Sequence, residues 1–150
     1  MSKGTVLSSL LTMLVMAVSC GEPSEWYYYD RSSGSDDTSF SFEFELLPAP
    51  AQYDISIFTR LEGKDLDLYT TDKIPMTIVL LSPSGEIYKE RFDFIVFSED
   101  GFRGYTGRRE AVSPYRTGIS TDEYGTWKMT IETDSPSSVL TGFGIYLKRI

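Results

Sequence analysis

The sequence contains no histidine, no asparagine, a single glutamine, Gln52, and a single cysteine, Cys20. Histidine is the side chain best suited to proton transfer near neutral pH and the commonest metal ligand, so its absence argues against imidazole catalysis and zinc. A nucleophilic serine or cysteine would also lack its usual base. We therefore predict a protein that is not an enzyme and that holds no metal and no cofactor. Paired carboxylates for glycoside hydrolysis are the one catalytic alternative left open.

Basic residues are few, because 14 Lys and Arg stand against 22 Asp and Glu, giving a formal net charge of −8. Binding to a phosphate backbone needs local positive charge that neutralises phosphates. An acidic chain is equally unsuited to anionic lipid surfaces. We predict that nucleic acid is not a partner.

The first residues form a short basic start containing Lys3, followed by an apolar stretch over 6–18. As a helix this stretch would rise about 20 Å, well short of the ~30 Å hydrocarbon core of a membrane. Ala17-Val18-Ser19-Cys20 then reads as a bacterial lipobox, so we predict a lipoprotein signal peptide over residues 1–19. The alternatives are a plain signal peptide with an incidental Cys20 and a cytosolic chain with an apolar first strand.

The lipobox predicts that acyl chains such as palmitate on Cys20 attach the mature protein to a membrane of the bacterial cell envelope. We expect the outer membrane, with either the periplasmic or the surface face. A single short acyl chain holds only marginally, whereas two or three on one cysteine hold durably. Lipid on Cys20 also uses the only thiol, so a disulfide within the chain is excluded.

Residues 20–38 are rich in Ser, Gly and Asp, and we predict a flexible tether there, because such a segment buries little apolar surface. Four consecutive aromatic residues, 26–29, interrupt it. They fit an edge strand or a plug on the folded domain, and alternatively an adhesive patch for sugar or a partner protein. The candidate binding residues here are Trp26, Tyr27 and Tyr28.

Residues 39–150 predict one all-β domain, because apolar and polar residues alternate in short runs and no 3.6-residue period is sustained. The run 76–81 is continuously apolar, which predicts a strand buried on both sides. Turn residues separate the runs, as in a single antiparallel β-sandwich of jelly-roll or Ig-like type, with a small barrel as the alternative. The predicted strands are 40–46, 53–60, 76–81, 87–96, 127–133 and 139–147.

The segment 99–114 differs, because glycines and basic residues alternate in it. We predict a long loop with local positive charge on an otherwise acidic chain. Arginines in such a loop can hold a carboxylate or an acidic partner, or can simply pair with the neighbouring Glu99, Asp100 and Glu110. The candidate binding residues of this segment are Arg103, Tyr105, Arg108 and Arg109.

Several short motifs between residues 40 and 149 together resemble a known family. They are Tyr53-Asp54-Ile55-Ser56-Ile57 leading to Arg60, Gly101-Phe102-Arg103-Gly104, Tyr115-Arg116, Gly125-Thr126-Trp127, and Leu140-Thr141-Gly142-Phe143-Gly144-Ile145. With the lipobox, they resemble the gliding-motility lipoproteins of Bacteroidetes, the GldH family. The resemblance implies an envelope lipoprotein serving gliding or its associated secretion machinery. It implies no catalytic residue, and only the lipidated cysteine carries over, onto Cys20.

Two hypotheses about function follow from these observations. The first is a non-enzymatic, membrane-anchored envelope lipoprotein that acts by protein–protein binding within an envelope complex. The alternative is a surface lipoprotein that binds glycan through exposed aromatic rings, with Trp26 and Trp127 as candidates, although Trp127 alternates with core residues. An exposed cluster over 26–29 would favour glycan, and a buried one would argue against it.

Overall fold

The computed structural model describes residues 24–32, 36–64, 71–96, 103–105 and 107–150, with the backbone alone for 103–105. The predicted signal peptide, the lipobox and Cys20 lie outside the described residues. No helix long and apolar enough to cross a membrane occurs in the part of the chain that is described.

The described chain forms two antiparallel sheets. The five-stranded sheet has the order β1-β9-β3-β7-β6, and the four-stranded sheet has the order β2-β8-β4-β5. The strands are β1 Glu25–Arg31, β2 Ser39–Leu46, β3 Tyr53–Glu62, β4 Lys73–Leu81, β5 Ile87–Ile95, β6 Arg103–Tyr105, β7 Arg108–Ile119, β8 Gly125–Thr133 and β9 Leu140–Arg149.

The chain winds as a jelly roll, which confirms the predicted β-sandwich. From β1 to β4 each successive strand crosses to the other sheet, and β4 and β5 form a hairpin within the four-stranded sheet. From β7 to β9 the chain crosses between the sheets at each step again. Eight strands in two sheets wound this way define a jelly roll, to which β6 adds a short edge strand.

The core lies between the sheets because each strand turns alternate side chains inward. In β2 the buried set is Phe40, Phe42, Phe44 and Leu46. Phe143 of β9 is fully buried and makes edge-to-face contacts across the sandwich, 5.2 Å from Phe40 and 5.9 Å from Phe94 between ring centroids. Such pairs add to the free energy gained by burying the rings.

The tether predicted over residues 20–38 is wrong over Glu25–Arg31, which forms β1 and pairs with β9 along its whole length. The edge-strand interpretation of 26–29 is correct. Trp26 and Tyr28 pack against the core of the domain. Trp26 and Tyr28 therefore supply the burial that the surrounding Ser, Gly and Asp residues cannot.

Two further expectations are corrected. The run 76–81 is not buried on both sides, since in β4 only alternate residues are fully buried and Thr77 and Val79 are half-exposed on the outer surface. A sheet of a two-layer sandwich is covered on one face only. The segment 99–114 is not a long loop, because β6 and the start of β7 form a hairpin that turns at Gly107, whose φ is +85°.

Candidate functional site

The outer surface of the five-stranded sheet carries four aromatic rings on three adjacent strands. Tyr27 and Tyr29 project from β1, Phe58 from β3 and Tyr146 from β9. Their strand neighbours point into the core, so the alternation that builds the sandwich also gathers these rings on one side. The aromatic face is defined as these four side chains with Arg60, Gly142 and Gly144.

The strand register places the rings in two rows across the sheet. Tyr27 lies opposite Tyr146, and their rings stack with centroids 4.5 Å apart and planes 23° apart. In the next row Gly144 lies between Tyr29 and Phe58. These two rings are nearly parallel, with centroids 5.9 Å and planes 13° apart. The result is a patch of ring surface that spans β1, β9 and β3.

The two glycines of β9 make room for the second row. A Cβ atom on Gly144 would collide with the Phe58 ring and would lie 2.5 Å from the backbone oxygen of Tyr28. A Cβ on Gly142 would lie 2.7 Å from the Tyr29 hydroxyl, and Gly142 also has a φ of +152°, which an L side chain rarely adopts. Glycine at both positions therefore lets the rings lie down over the β9 backbone.

Ion pairs border the rings on one side. The Arg60 guanidinium lies 4.9 Å from the Tyr29 ring centroid, and its Nε donates to Glu110 at 2.5 Å. Next to this pair, Arg108 contacts Glu62 at 2.5 Å. The border thus offers charged groups that can form hydrogen bonds, but its positive charge is already balanced by carboxylates.

Two adjoining depressions follow this arrangement. The first has a volume of ≈ 550 Å³ and is lined by Tyr27, Tyr29, Phe58, Arg60, Glu110, Val112 and Tyr146. The second, of ≈ 310 Å³, shares Tyr29, Arg60 and Glu110 with the first and continues towards the polar border. Tyr27 is 69% exposed and Val112 47%. The surface is thus an open groove, apolar at one side and polar at the other.

The phenol of Tyr146 stays protonated well above neutral pH. Burial is the main reason that its pKa is raised, and hydrogen bonding with Glu25 and Tyr27 raises the pKa further. A protonated phenol can both donate and accept a hydrogen bond. The aromatic face therefore has a neutral polar group beside its stacked rings over the physiological pH range.

The candidate binding residues in the aromatic run 26–29 lie on opposite sides of β1. Tyr27 lies on the aromatic face, whereas Trp26 and Tyr28 point to the other side of β1 and are half-buried. Trp26 lies 6.5 Å from the Tyr53 ring and Tyr28 lies 6.4 Å from Phe44, measured between ring centroids. The run 26–29 is thus one exposed pair and one packed pair, and not a continuous exposed patch.

The basic candidate binding residues also lie in different environments. Arg108 lies at the border of the aromatic face and pairs with Glu62, while Glu110 pairs with Arg60 of β3. Arg109 is only 5% exposed, so its prediction as a surface binding residue is wrong. It alternates with Arg108 along β7 and therefore points inward. Arg103 and Tyr105 lie on β6 opposite Glu110 and Arg108, and their side chains, like Glu99 and Asp100, lie outside the described residues.

Sequence reasoning missed Tyr29, Phe58, Arg60 and Tyr146. One signal was present: Tyr29 follows Tyr27 by two residues, the spacing of side chains on one face of a strand. A second was the alternation of Gly142 and Gly144 around an inward apolar residue, which marks close approach of another group to the strand. Neither signal indicates which ring fills the space.

Trp127 is a half-buried residue of the other sheet, packed beside the core. Its ring stacks on Tyr88 with centroids 6.4 Å apart and planes 25° apart. Trp127 therefore belongs to the margin of the core, as its alternation with core residues suggests, and contributes nothing to the aromatic face.

No group of three or more His, Cys, Asp and Glu side chains that could hold a metal ion occurs among the described residues. Among the two acids at the aromatic face, Glu62 accepts from Arg108 and Glu110 from Arg60. These carboxylates are thus committed to arginine and not to one another.

No family model matches the chain, and no curated protein matches it. Among solved structures, the carbohydrate-binding module TmCBM61 in complex with β-1,4-galactotriose is similar at 10% identity and a TM-score of 0.34, covering 83% of this chain and 68% of that one. The enzymatically active domain of bacteriophage CBA120 tailspike protein 4 is similar at 9% identity and a TM-score of 0.32, covering 85% and 19%. At these values neither likeness bears on ligand or activity.

Proposed function

We propose that this protein is a non-catalytic, lipid-anchored binding protein of a bacterial envelope and that its aromatic face binds a glycan. The observation that carries the proposal is the platform of four rings on three strands, opened by Gly142 and Gly144 and bordered by hydrogen-bonding groups.

The chemistry of a sugar ring fits such a platform. A pyranose has apolar C–H surfaces and a rim of hydroxyl groups, so it needs apolar contact in the middle and polar contact at its edge. Tyr27 and Val112 are apolar and accessible, and Arg60, Glu110 and the Tyr146 phenol lie beside them. Apolar surface removed from water contributes about 25 cal/mol per Å².

The charge balance at the border favours a neutral glycan. Arg60 and Arg108 already pair with Glu110 and Glu62, so an acidic sugar would have to displace a carboxylate that belongs to the protein. Sugar hydroxyls, by contrast, can hydrogen-bond to these groups without breaking either ion pair. We therefore expect binding that depends only weakly on salt.

The same ion pairs support binding over hydrolysis. A glycosidase needs one carboxyl group with a raised pKa as the acid and a second carboxylate across the scissile bond. At the aromatic face, Glu62 and Glu110 each accept a hydrogen bond from an arginine, so both carboxylates are already engaged in ion pairs within the protein.

The lipid anchor on Cys20 rests on the lipobox and is part of the proposal. It places the aromatic face at an envelope membrane, where cell-wall and surface polysaccharides are the abundant ligands. A Cys20→Ser variant should leave the membrane fraction and remain folded.

Binding is tested with the full-length lipoprotein in detergent micelles, titrated calorimetrically with a panel of neutral tri- to hexasaccharides of different linkages. We expect at least one member to bind and Tyr27→Ala to weaken it by about tenfold, since losing roughly 60 Å² of apolar contact at about 25 cal/mol per Å² corresponds to about 1.5 kcal/mol. Tyr124→Ala is the matched control, because Tyr124 is 66% exposed and lies outside the aromatic face. No binding by the unmodified protein, or equal loss in both variants, would contradict the proposal.

A role in an envelope complex is the second proposal, and the edge strand β5 favours it. β5 ends the four-stranded sheet and exposes Ile87, Tyr88 and Ile95. The unpaired backbone groups of an edge strand can bind a strand of another protein. This role agrees with the resemblance to gliding-motility lipoproteins, which implies a partner in gliding or secretion machinery.

Crosslinking in native membranes tests this role. We expect a specific envelope protein to crosslink to the unmodified chain, and Ile95→Lys to abolish the product, because a charge on the edge opposes strand addition. Lys89→Glu, on the same strand, controls for a general change of charge. Migration of the unmodified protein alone would count against the complex.

A further inference from the structure

The end of the sandwich at which β1 begins lies close to the predicted lipid. Glu25 is the first residue of β1 and follows Cys20 by five positions. A fully extended chain spans at most about 3.6 Å per residue, so the Cα atoms of Cys20 and Glu25 are no more than about 18 Å apart. The anchor end is defined as this end of the sandwich.

The first described residues are held to the rest of the domain. Glu25 lies opposite Lys148, with 3.9 Å between the carboxylate and the ammonium group. The backbone N–H of Arg149 donates to the backbone oxygen of Ser24 at 2.7 Å. The chain is therefore fixed to the domain from Ser24 onward, four positions after Cys20.

Large apolar side chains are exposed at the anchor end. Tyr124 is 66% exposed, Ile150 60% and Leu47 39%. The backbone N–H of Ile150 donates to the Gln52 oxygen at 3.0 Å, and that of Leu47 bonds to the hydroxyl of Tyr53, the first residue of β3. These bonds join the C-terminus and the connection between β2 and β3 into one surface.

The four-stranded sheet extends this surface. Leu81 and Ile87 face each other at the turn of the β4–β5 hairpin and are 37% and 69% exposed. The backbone N–H of Ser84 in that turn donates to Glu123 at 3.0 Å, next to Tyr124. Apolar side chains of both sheets therefore surround the anchor end.

The described residues at the opposite end of the sandwich are mostly polar. Among them, Ile95 is the one large apolar side chain that is exposed. The exposed residues there include Asp36, Lys64, Asp134, Ser135 and Ser138. Within the described parts of the two ends, exposed apolar side chains are therefore concentrated at the anchor end.

We infer that the anchor end rests on the membrane, with Tyr124, Ile150 and Leu47 in the headgroup region and the strands rising from the membrane surface. The inference rests on the proposed lipid on Cys20. Tyrosine suits this position because its ring is apolar and its hydroxyl is polar. Asp122 and Glu123 flank Tyr124, so uncharged or zwitterionic headgroups are favoured over anionic ones.

Labelling of single introduced cysteines tests the orientation. Acylation uses the thiol of Cys20, so a Tyr124→Cys or Ile150→Cys variant of the full lipoprotein carries one free thiol for an environment-sensitive fluorophore. Ser135→Cys, exposed at the opposite end, is the matched control. Each variant is bound to phosphatidylcholine vesicles that contain a nitroxide-labelled lipid.

We expect at least twofold stronger nitroxide quenching at positions 124 and 150 than at 135. Equal quenching at all three positions, in protein that floats with the vesicles, overturns the orientation and leaves the anchor standing. Protein that does not float overturns the anchor and the orientation together. Replacing part of the phosphatidylcholine by phosphatidylglycerol should reduce quenching at 124, whereas an increase would contradict the assignment to zwitterionic lipid.

Discussion

The two outer surfaces of the sandwich are built by the same alternation but carry different chemistry. On the five-stranded sheet the outward positions of three adjacent strands gather four aromatic rings. On the four-stranded sheet, the described outward side chains include no aromatic ring. They are Ser39, Ser41, Glu43, Glu45, Lys73, Pro75, Thr77, Val79, Leu81, Ile87, Lys89, Arg91, Asp93, Ile95, Thr126, Lys128, Thr130 and Glu132.

On the outer surface of the four-stranded sheet, polar side chains form hydrogen bonds and ion pairs with one another. Ser41 and Thr130 share a hydrogen bond of 3.2 Å, and Lys73 contacts Asp93 at 3.1 Å. Exposed pairs of this kind contribute about 0–1 kcal/mol and leave little for a ligand to gain. The aromatic face instead places two glycines in an inner strand, where glycine is unfavourable. The difference teaches that the same strand alternation can give an outer surface of mutually paired polar side chains in one sheet and a surface of exposed aromatic rings in the other.

The largest difference in stability between substitutions on the two outer surfaces is expected at Gly144. Gly144→Ala places a Cβ against the Phe58 ring and the Tyr28 backbone, so β1 must move away from β9, and we expect a loss of about 3 kcal/mol in the free energy of unfolding. Thr130→Ala, in an inner strand of the other sheet, should cost less than about 1 kcal/mol. Urea denaturation measures both, and equal losses would erase the distinction.

A smaller effect is expected where the two sheets are joined. Tyr115 of β7 donates to Glu90 of β5, and Arg116 donates to the same carboxylate at 2.7 and 2.6 Å. Tyr115→Phe should lower the free energy of unfolding by about 1 kcal/mol. Tyr124→Phe, which removes an exposed hydroxyl, is the control.

The pH dependence of the free energy of unfolding in the alkaline range gives a second measurement of the Tyr115 hydroxyl. Burial, followed by the hydrogen bond to Glu90, raises the pKa of Tyr115 above its ordinary value of 10. The folded state therefore holds the phenolic proton more tightly than the unfolded state does. The resulting stabilisation is complete below pH 10 and is lost as pH rises towards the folded pKa. Tyr115→Phe should flatten this decline, and an unchanged profile would assign it to other groups.

The smallest effect is expected on the polar surface at Arg91 and Asp134, which contact each other at 2.5 Å. Hydrogen bonding to Arg91 lowers the pKa of Asp134 below its ordinary value of 3.8. The ion pair therefore stabilises the fold above about pH 4 and is lost as pH falls through the folded pKa. Arg91→Met should lower the thermal midpoint only slightly at pH 7, because an exposed ion pair contributes little, and this difference from the unmodified protein should disappear below the folded pKa of Asp134. A large change at neutral pH would show that this surface matters more than its exposure indicates.

Much of the fold could be predicted, because alternation over 40–46, 53–60 and 127–133 reports directly which side chains face a core. The edge strand was recognised only over 26–29, because the average composition of 20–38 indicates a tether and hides the two rings, Trp26 and Tyr28, that pack against the core. The segment 99–114 was misassigned because its glycine at 107 marks a hairpin turn between two strands, not a loop.

The aromatic face could be predicted only in part. Tyr27 was identified, and the glycines at 142 and 144 were recognisable as places of close approach. Their contact with Phe58 and Tyr29 depends on strand register between segments about 85 to 115 positions apart in the sequence, which local patterns do not encode. Alternate residues of β1 face opposite sides of the sheet. Whether Tyr29 or Tyr28 lies on the outer surface therefore depends on which side of β1 meets the core.

β1 has a mechanical consequence. If the lipid holds Cys20 and a ligand is held on the aromatic face, a pull between them runs along the axis of β1, which carries Tyr27 and Tyr29 and pairs with β9 over seven residues. A force along an antiparallel strand loads its ladder of hydrogen bonds in shear, so they share the tension instead of opening one after another. Under that condition, the seven residue pairs between β1 and β9 would carry the tension together.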